Sequence, residues 1–450
     1  MGPEFRRNLW LELSPQRVVL ALVLLTLGFF AAALSDGEVT PAAIGTFLYY
    51  IVVVIWGARN AALSVVGEIR DRTWDAQRLS SLGAGQMLWG KLFGATVYNW
   101  FIGGICLVVM TVHAVVHAGP LAALSDLVYY LAIGVIAQAM ALLASLIAVR
   151  RRQNHSRTEI FLYQFAGLAA AVTVFAVWEA ANPGAALLAK VHADVIPWWG
   201  HGFEARGFLL ISLALFAGWT LVGCYREMRL ELQMQNGPLV WLGFLVFIGL
   251  YVAGFDAFLS RDSLAVGWDA AALRLGLAAS TYATLTYVMV LLDPKNRVHF
   301  RWLGSQLASG RIGAALAGLD SFMMSYIAAF LSAAVLVAYL MSQMPAEPGA
   351  AALVGAGTGF LTRDVAIFVA MHTASRRRGD FAAVITLFAL YVLAPSILNG
   401  LGMPRALVLF YPQPVLPVWL SPAIAWAEGI AVAALATRRI ALSEAPAEAA

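Results

Sequence analysis

The sequence predicts an all-α polytopic membrane protein of about 12 transmembrane helices, arranged as two six-helix repeats. Three observations predict it. The chain is 61% hydrophobic and 12% charged, with a mean hydropathy of +0.78, whereas soluble proteins carry about 25% charged residues. Twelve apolar stretches approach the roughly 20 residues that a helix needs to cross a bilayer. Short signatures recur in order. The stretch from Arg7 to Leu13 resembles that from Arg226 to Leu232, Arg150–Arg152 recurs as Arg376–Arg378, and Val195–Trp199 recurs as Val415–Trp419, at offsets of 219, 226 and 220 residues. Matches at nearly one spacing indicate a duplication, with one six-span half in residues 1–225 and a second in 226–450.

The predicted spans are 17–34, 42–58, 93–113, 122–148, 159–179, 207–225, 238–258, 270–292, 320–342, 350–373, 380–401 and 415–437. All are read as helices, because a backbone in hydrocarbon must satisfy its own hydrogen bonds. With the N-terminus inside, 23 of the 29 Lys and Arg residues fall on the inner side. Lys190, Arg206, Arg261, Arg274 and Arg405 face outward, and Arg363 lies within a span. This asymmetry predicts that both termini are cytoplasmic, and the chain is expected in the plasma, or bacterial inner, membrane. No cleavage site follows the first span, which reads as retained. Cys106 and Cys224 fall inside apolar spans and read as buried free thiols.

Between the spans, the N-terminal stretch Phe5–Leu13 is amphipathic, with Phe5, Leu9 and Leu13 on one face. Ser14-Pro15 ends it before the first span. Residues 226–235 are expected to repeat this surface helix before the seventh span, stopping at Gly237-Pro238. The longest inner connections, 59–92 and 293–319, each follow the second span of their half. The outer segments 182–206 and 399–419, which contain Pro197, Trp198, Trp199, Pro417 and Trp419, are rich in Pro, Gly and aromatic residues, and the tryptophans fit interfacial anchors.

Residues 68–94 carry the most specific pattern. An acidic-basic stretch, Glu68-Ile69-Arg70-Asp71-Arg72, leads into Thr73-Trp74-Asp75. Arg78, Leu79, Ser80 and Leu82 form a turn, and Gly90-Lys91 opens the third span. This segment resembles the cytoplasmic coupling segment of type V (ABC-2-like) ABC exporter permeases. Thr73, Trp74, Asp75, Ser80, Gln86, Gly90 and Lys91 fall on that family's pattern, although Ser81 stands where the family has proline. The resemblance implies a coupling helix in 68–92 that rests in a groove of a separate ATPase. Trp74, Leu79, Leu82, Met87 and Leu88 would supply apolar knobs, and Glu68, Arg70, Arg72, Asp75 and Arg78 would set register. It also implies a connecting helix at the N-terminus and outer hairpins before the last span of each half. A second coupling segment falls at 293–313, with Arg297 and Arg301 but no Thr-Trp-Asp. Typical members have six spans and pair; here both halves lie in one chain, which implies two copies of a partner ATPase. ATP and magnesium would reside in that partner, and this chain would hold no cofactor. A small or amphipathic substrate is expected, and nucleic acid is not.

Gly85 to Lys91 matches the start of a phosphate-binding loop, but Leu92 stands where a Ser or Thr must bind magnesium. The chain is therefore read as a transport subunit and not an enzyme. The runner-up is a 12-span secondary transporter of the major facilitator type, suggested by Gly67-Glu68-Ile69-Arg70-Asp71-Arg72. Trp74 in place of that family's later glycine and the long connection between the second and third spans count against it. Polar residues within spans are costly and often functional. Arg363 and Asp364 in the tenth span, Gln138 in the equivalent position of the first half, and Glu428 in the twelfth are candidates for a cavity or gate, or for a structural pair between helices. His113, His117, His192 and His201 read as headgroup-level residues in preference to a metal site.

Overall fold

The computed structural model describes residues 2–35, 39–80, 82–150, 157–180, 195–234, 236–255, 269–343, 348–374, 379–414 and 417–442. Arg151, Arg152, Arg376–Arg378, Lys190, Arg261, His192 and most of the first outer hairpin, 182–194, lie outside them. Packing divides the chain into two compact units: residues 1–196 with 202–236, and 197–201 with 237–450.

The first unit contains α1 (Pro3–Glu12), α2 (Pro15–Ala33), α3 (Pro41–Arg70), α4 (Trp74–Arg78), α5 (Ala84–Trp89), α6 (Val97–Ala118), α7 (Pro120–Arg150), α8 (Arg157–Ala180) and α9 (Ala205–Glu231). Proline at the first position starts α1, α2 and α3, where the missing N–H costs nothing. α7 is the most buried span of the unit. Its Tyr129 and Ile133 pack with Tyr49 and Val53 of α3 and with Ile102 and Cys106 of α6.

The second unit contains α10 (Leu239–Ala253), α11 (Ala270–Leu292), α12 (Arg297–Ala308), α13 (Ile312–Ala317), α14 (Ser321–Gln343), α15 (Gly349–Ala374), α16 (Gly379–Gly400) and α17 (Leu420–Leu442). Here α15, again the fourth span of its half, is the most buried.

Among the described residues, eleven helices are long and apolar enough to cross a membrane. The protein is an all-α integral membrane protein. The expected seventh span is α10, which has 15 residues and a length of about 22 Å, short of the ~30 Å hydrocarbon core. One expectation is overturned. Residues 226–231 form no separate surface helix but the last turns of α9, because no proline interrupts the run from Ala205 to Glu231. Met228 and Cys224 are fully buried in the first unit's core. The only strands among the described residues are β1 (Val195–Trp198) and β2 (His201–Glu204), a hairpin within the predicted outer segment. Trp199 and Gly200, both with positive φ, make its two-residue turn.

Candidate functional site

The connection after the second span is a folded and braced element. α3 ends in a Schellman motif: the Thr73 amide donates to the Glu68 carbonyl at 2.9 Å and the Arg72 amide to that of Ile69 at 3.1 Å. Arg72 takes the left-handed conformation, φ 58°, that this motif requires and that glycine usually fills. The chain then turns through α4 and α5 into a π-helical turn, Gly90–Gly94.

Lys91 is the centre of this element. Its side chain is 1% exposed and is paired with Glu68 and, at 3.1 Å, with Glu4 of α1. Glu68 also accepts a 2.6 Å hydrogen bond from Gln77, and Arg7 lies 3.5 Å from both carboxylates. A buried ammonium is tolerated only with such partners. Gly90 makes the approach of α1 possible, since a Cβ there would lie 2.4 Å from Glu4 Cγ. Asn8 completes the seat by donating to the Gly90 carbonyl at 3.0 Å. Sequence reasoning missed Glu4, Asn8 and Gln77; an acidic residue in the first turn of an amphipathic helix was the available signal.

This geometry corrects part of the docking surface expected from sequence. Trp74, Met87 and Leu88 are buried and pack with Ala61, Val65, Leu142, Leu146 and Met228. Lys91 lies over the Trp74 ring, 5.6 Å from its centroid. Trp74 therefore fastens the segment to the spans and is no surface knob, because an indole among aliphatic side chains is better buried than offered to water. Leu82 is half-buried, and Leu79, Asp75, Arg72 and Thr73 face outward. Arg78 lies 3.7 Å from Asp75.

The connection after the eighth span uses a similar device. Lys295, fully buried, pairs with Asp380 at 2.9 Å and lies 5.9 Å from the Phe368 ring centroid. Asp293 accepts from the Phe322 amide at 2.8 Å, and Asn296 caps α12 through the Val298 amide. Arg297 is half-buried at the start of α12 and Arg301 is exposed.

Two further networks lie within the spans. In the first unit, α3 contains a π-helical segment, Tyr50–Trp56. Side-chain amides from three other helices meet its carbonyls: Asn99 donates to Val52 at 2.8 Å, Gln138 to Val53 at 3.0 Å and Gln164 to Ile55 at 3.0 Å. Gln138 in turn accepts from the Trp100 indole at 2.9 Å, and Asn99 from Asn60 at 2.9 Å. Gly57 leaves room for Gln138, whose Nε2 would lie 2.4 Å from a Cβ. Hydrocarbon offers a distorted backbone no water, so such a segment persists only where side chains complete it.

In the second unit the network is charged. Arg363, 3% exposed, donates to the fully buried Asp364 at 3.1 Å, to Glu428 at 2.8 Å and to the Leu409 carbonyl at 3.3 Å. The other Asp364 oxygen accepts from Tyr287 at 2.7 Å and Tyr391 at 2.6 Å. Tyr391 lies in a π-helical segment of α16, Ala389–Leu393. Arg363, Asp364 and Glu428 thus come together, while Gln138 sits in the first unit's separate network. Tyr287 and Tyr391 carried no sequence signal among 14 tyrosines.

The aromatic residues of the outer segments separate. The Trp198 indole donates to the Tyr251 carbonyl at 3.0 Å, the Trp199 amide donates to that of Gly254 at 2.8 Å, and the Trp199 ring lies 4.8 Å from the Arg274 guanidinium. Pro197 precedes Trp198 in β1. Pro417 and Trp419 are exposed, and the Pro417 carbonyl accepts from Leu420 at the start of α17. His113 and His117 stack at 4.0 Å, and among the described residues no three His, Cys, Asp or Glu side chains gather to hold a metal. In comparisons with protein-family models, curated proteins and solved structures, nothing matches this chain.

Proposed function

We propose that this protein is the membrane-spanning permease subunit of an ATP-driven exporter of the type V ABC class, with both six-span halves in one chain. The observation that carries the reading is the braced segment 68–94. Its sequence follows that family's coupling pattern, and Lys91, Glu68 and Glu4 join it to α1 and to the second and third spans. Leu79, Asp75 and Arg72 remain on its outer side. A segment that transmits a partner's motion must be rigid behind its contact face, and a buried ion-pair cluster supplies that rigidity. Two copies of a separate ATPase, holding ATP and magnesium, would dock here and at 293–313 on the cytoplasmic face of a bacterial inner membrane. ATP drives transport if it binds the closed arrangement of the ATPase more tightly than the open one. Cargo would pass between the halves, beyond the outer segments.

The test is isolation of the chain from its host in mild detergent, with partners counted by native mass spectrometry. One copy with two copies of an ATPase is the expected result. Leu79→Asp should then abolish ATPase binding without lowering the unfolding temperature, since Leu79 is 89% exposed. Recovery of the chain without any ATPase would reject the reading. It would favour a gradient-driven transporter of the major facilitator type, for which Arg363, Asp364 and Glu428 are a specific pointer: ionisable groups held within spans are the usual parts of ion-coupled transport.

A further inference from the structure

The charged network of the second unit does not balance itself. Arg363 is one guanidinium between two carboxylates, bound to Asp364 through Nε at 3.1 Å and to Glu428 through Nη1 at 2.8 Å. Among the described residues no second cation pairs with either carboxylate. With all three groups ionised, the cluster carries one negative charge. It does so deep in the membrane, since Glu428 lies about 12 Å along α17 from Leu420. A charge at that depth is costly, and such groups face the bundle interior or a watered cavity instead of lipid.

The two carboxylates differ in what they still need. Asp364 is fully buried and complete, with Arg363 on one oxygen and Tyr287 and Tyr391 on the other. Glu428 has Arg363 as its one polar partner among the described residues, on Oε2, and its side chain is 34% exposed. A second unmet group lies on the same guanidinium. Arg363 Nη2 is buried and has no hydrogen-bond partner among the described residues. The faces of the guanidinium are taken by the rings of Phe360 and Tyr391, at 4.6 and 5.2 Å from their centroids, so Nη2 can be met only in its own plane. A buried donor left unmade is expensive.

These needs define a ligand: a positive charge with donor hydrogens for Glu428, and an acceptor oxygen for Nη2. A bare metal ion brings the charge without the acceptor. An anion or a zwitterion brings the acceptor without balancing the charge. We infer that the second unit binds a small organic cation here, a protonated amine whose ammonium pairs with Glu428 and whose neighbouring hydroxyl or carbonyl oxygen accepts from Arg363 Nη2. Asp364 and its two tyrosines hold the guanidinium in place for it.

The experiment places the full chain in nanodiscs of phosphatidylcholine and follows binding by isothermal titration calorimetry, with protein-free discs as the blank. Three probes share a phenyl group. Phenylalaninol carries the ammonium and the hydroxyl, phenethylamine the ammonium alone, and hydrocinnamyl alcohol the hydroxyl alone. Phenylalaninol should bind once per chain and at least about tenfold more tightly than phenethylamine. Hydrocinnamyl alcohol should show no saturable binding. Glu428→Gln can still accept from Arg363 and should keep the fold, yet weaken phenylalaninol at least about tenfold. Absence of saturable phenylalaninol binding to the unaltered chain would overturn the inference. So would equal affinity in Glu428→Gln, or equal affinity for either of the other probes. If the variant does not fold, the probe series on the unaltered chain still decides. Repeating the titration in phosphatidylethanolamine discs separates two sources of ammonium. A lower affinity there assigns the site to a lipid headgroup, and an unchanged one to a free amine. No ATPase, nucleotide or gradient is present, so failure here leaves the permease reading standing, and rejection of that reading leaves this site.

Discussion

The two units face the same problem at the centre of the membrane and solve it with different chemistry. In each, the fourth span is the most buried helix. In each it carries a fully buried polar side chain, Gln138 or Asp364, turned toward a π-helical segment. In the first unit everything in the network is neutral: amides, an indole and backbone carbonyls. In the second, one guanidinium is shared by two carboxylates, and two phenols complete Asp364. Neutral amides complete a distorted backbone at low cost and hold one geometry. A charged cluster is expensive to bury and depends on every member, and Glu428, 34% exposed, connects this one to its surroundings. The difference makes the second unit's network the more sensitive of the two to the loss of any one member.

The largest expected effect tests that contrast directly. Arg363→Ala leaves Asp364 buried without its cation and should cost about 3–5 kcal/mol, read as loss of folded protein or a large fall in unfolding temperature. The double change Arg363→Met with Asp364→Leu should cost less than Arg363→Ala alone, because the uncompensated charge is gone. If the double variant is stable but inactive, the charges serve transport. If it is stable and active, they are only structural, and the contrast between units loses its functional meaning.

The buried lysines offer the next comparison. Lys91 pairs with Glu68 and Glu4, and Lys295 pairs with Asp380, which His372 also approaches at 3.3 Å. Lys91→Met leaves Glu68 and Glu4 without their buried cation, with Arg7 3.5 Å from each, and is expected to cost about 3 kcal/mol. It should also release α1, seen as faster hydrogen exchange of the amides of residues 4–12. Lys295→Met removes the cation from Asp380, which is partly exposed, and should cost less. Equal losses would mean that the two connections are braced alike.

Within the neutral network the effect is smaller. Gln138→Leu keeps the volume but leaves the Val53 carbonyl and the Trp100 indole without their side-chain partner, worth about 1–3 kcal/mol. Asn99→Leu should behave similarly, and because Asn99 and Gln138 meet neighbouring carbonyls of one π segment, the pair should be non-additive. Strict additivity would show that the segment is not held as a unit.

Much of this architecture is legible in the chain itself, since span number and helix type depend on local composition. Eleven spans follow from apolar length, and proline marks where α1, α2 and α3 begin. The seventh, 238–258, runs past the described helix α10 into residues that lie outside the described ones. The false surface helix at 226–235 has a different cause: Arg226-Glu227-Met228-Arg229 resembles the N-terminal motif letter by letter, but only packing shows that Met228 is buried. The sites follow the same division. Arg363, Asp364 and Glu428 announce themselves because charge within a span is rare. Trp74 was assigned to a surface because motif and exposure are independent, and Tyr287, Glu4 and Asn99 acquire their roles only from residues distant in sequence.

The smallest test concerns how the second span of each unit begins. Thr40 caps α3 by accepting from the Ala43 amide at 3.1 Å, and Asp269 caps α11 by accepting from the Ala272 amide at 2.8 Å. Again the first unit uses a neutral group and the second a charged one. Asp269 lies outside the span. The Tyr339 hydroxyl, followed by the Ala272 amide, holds its carboxyl below the ordinary carboxylate value. A lowered folded value means that the stabilisation is complete above the unfolded value of about 3.9 and is lost as pH falls through the folded one. Removing such a cap costs about 1 kcal/mol. Hydrogen exchange at the first turn of α11 should therefore accelerate, relative to the first turn of α3, as pH drops below about 4. Asp269→Thr should remove that difference and leave the two turns with the same pH dependence. If the difference persists in the variant, the acid sensitivity belongs to another carboxylate of the second unit, and Asp380 beneath Lys295 becomes the group to replace next.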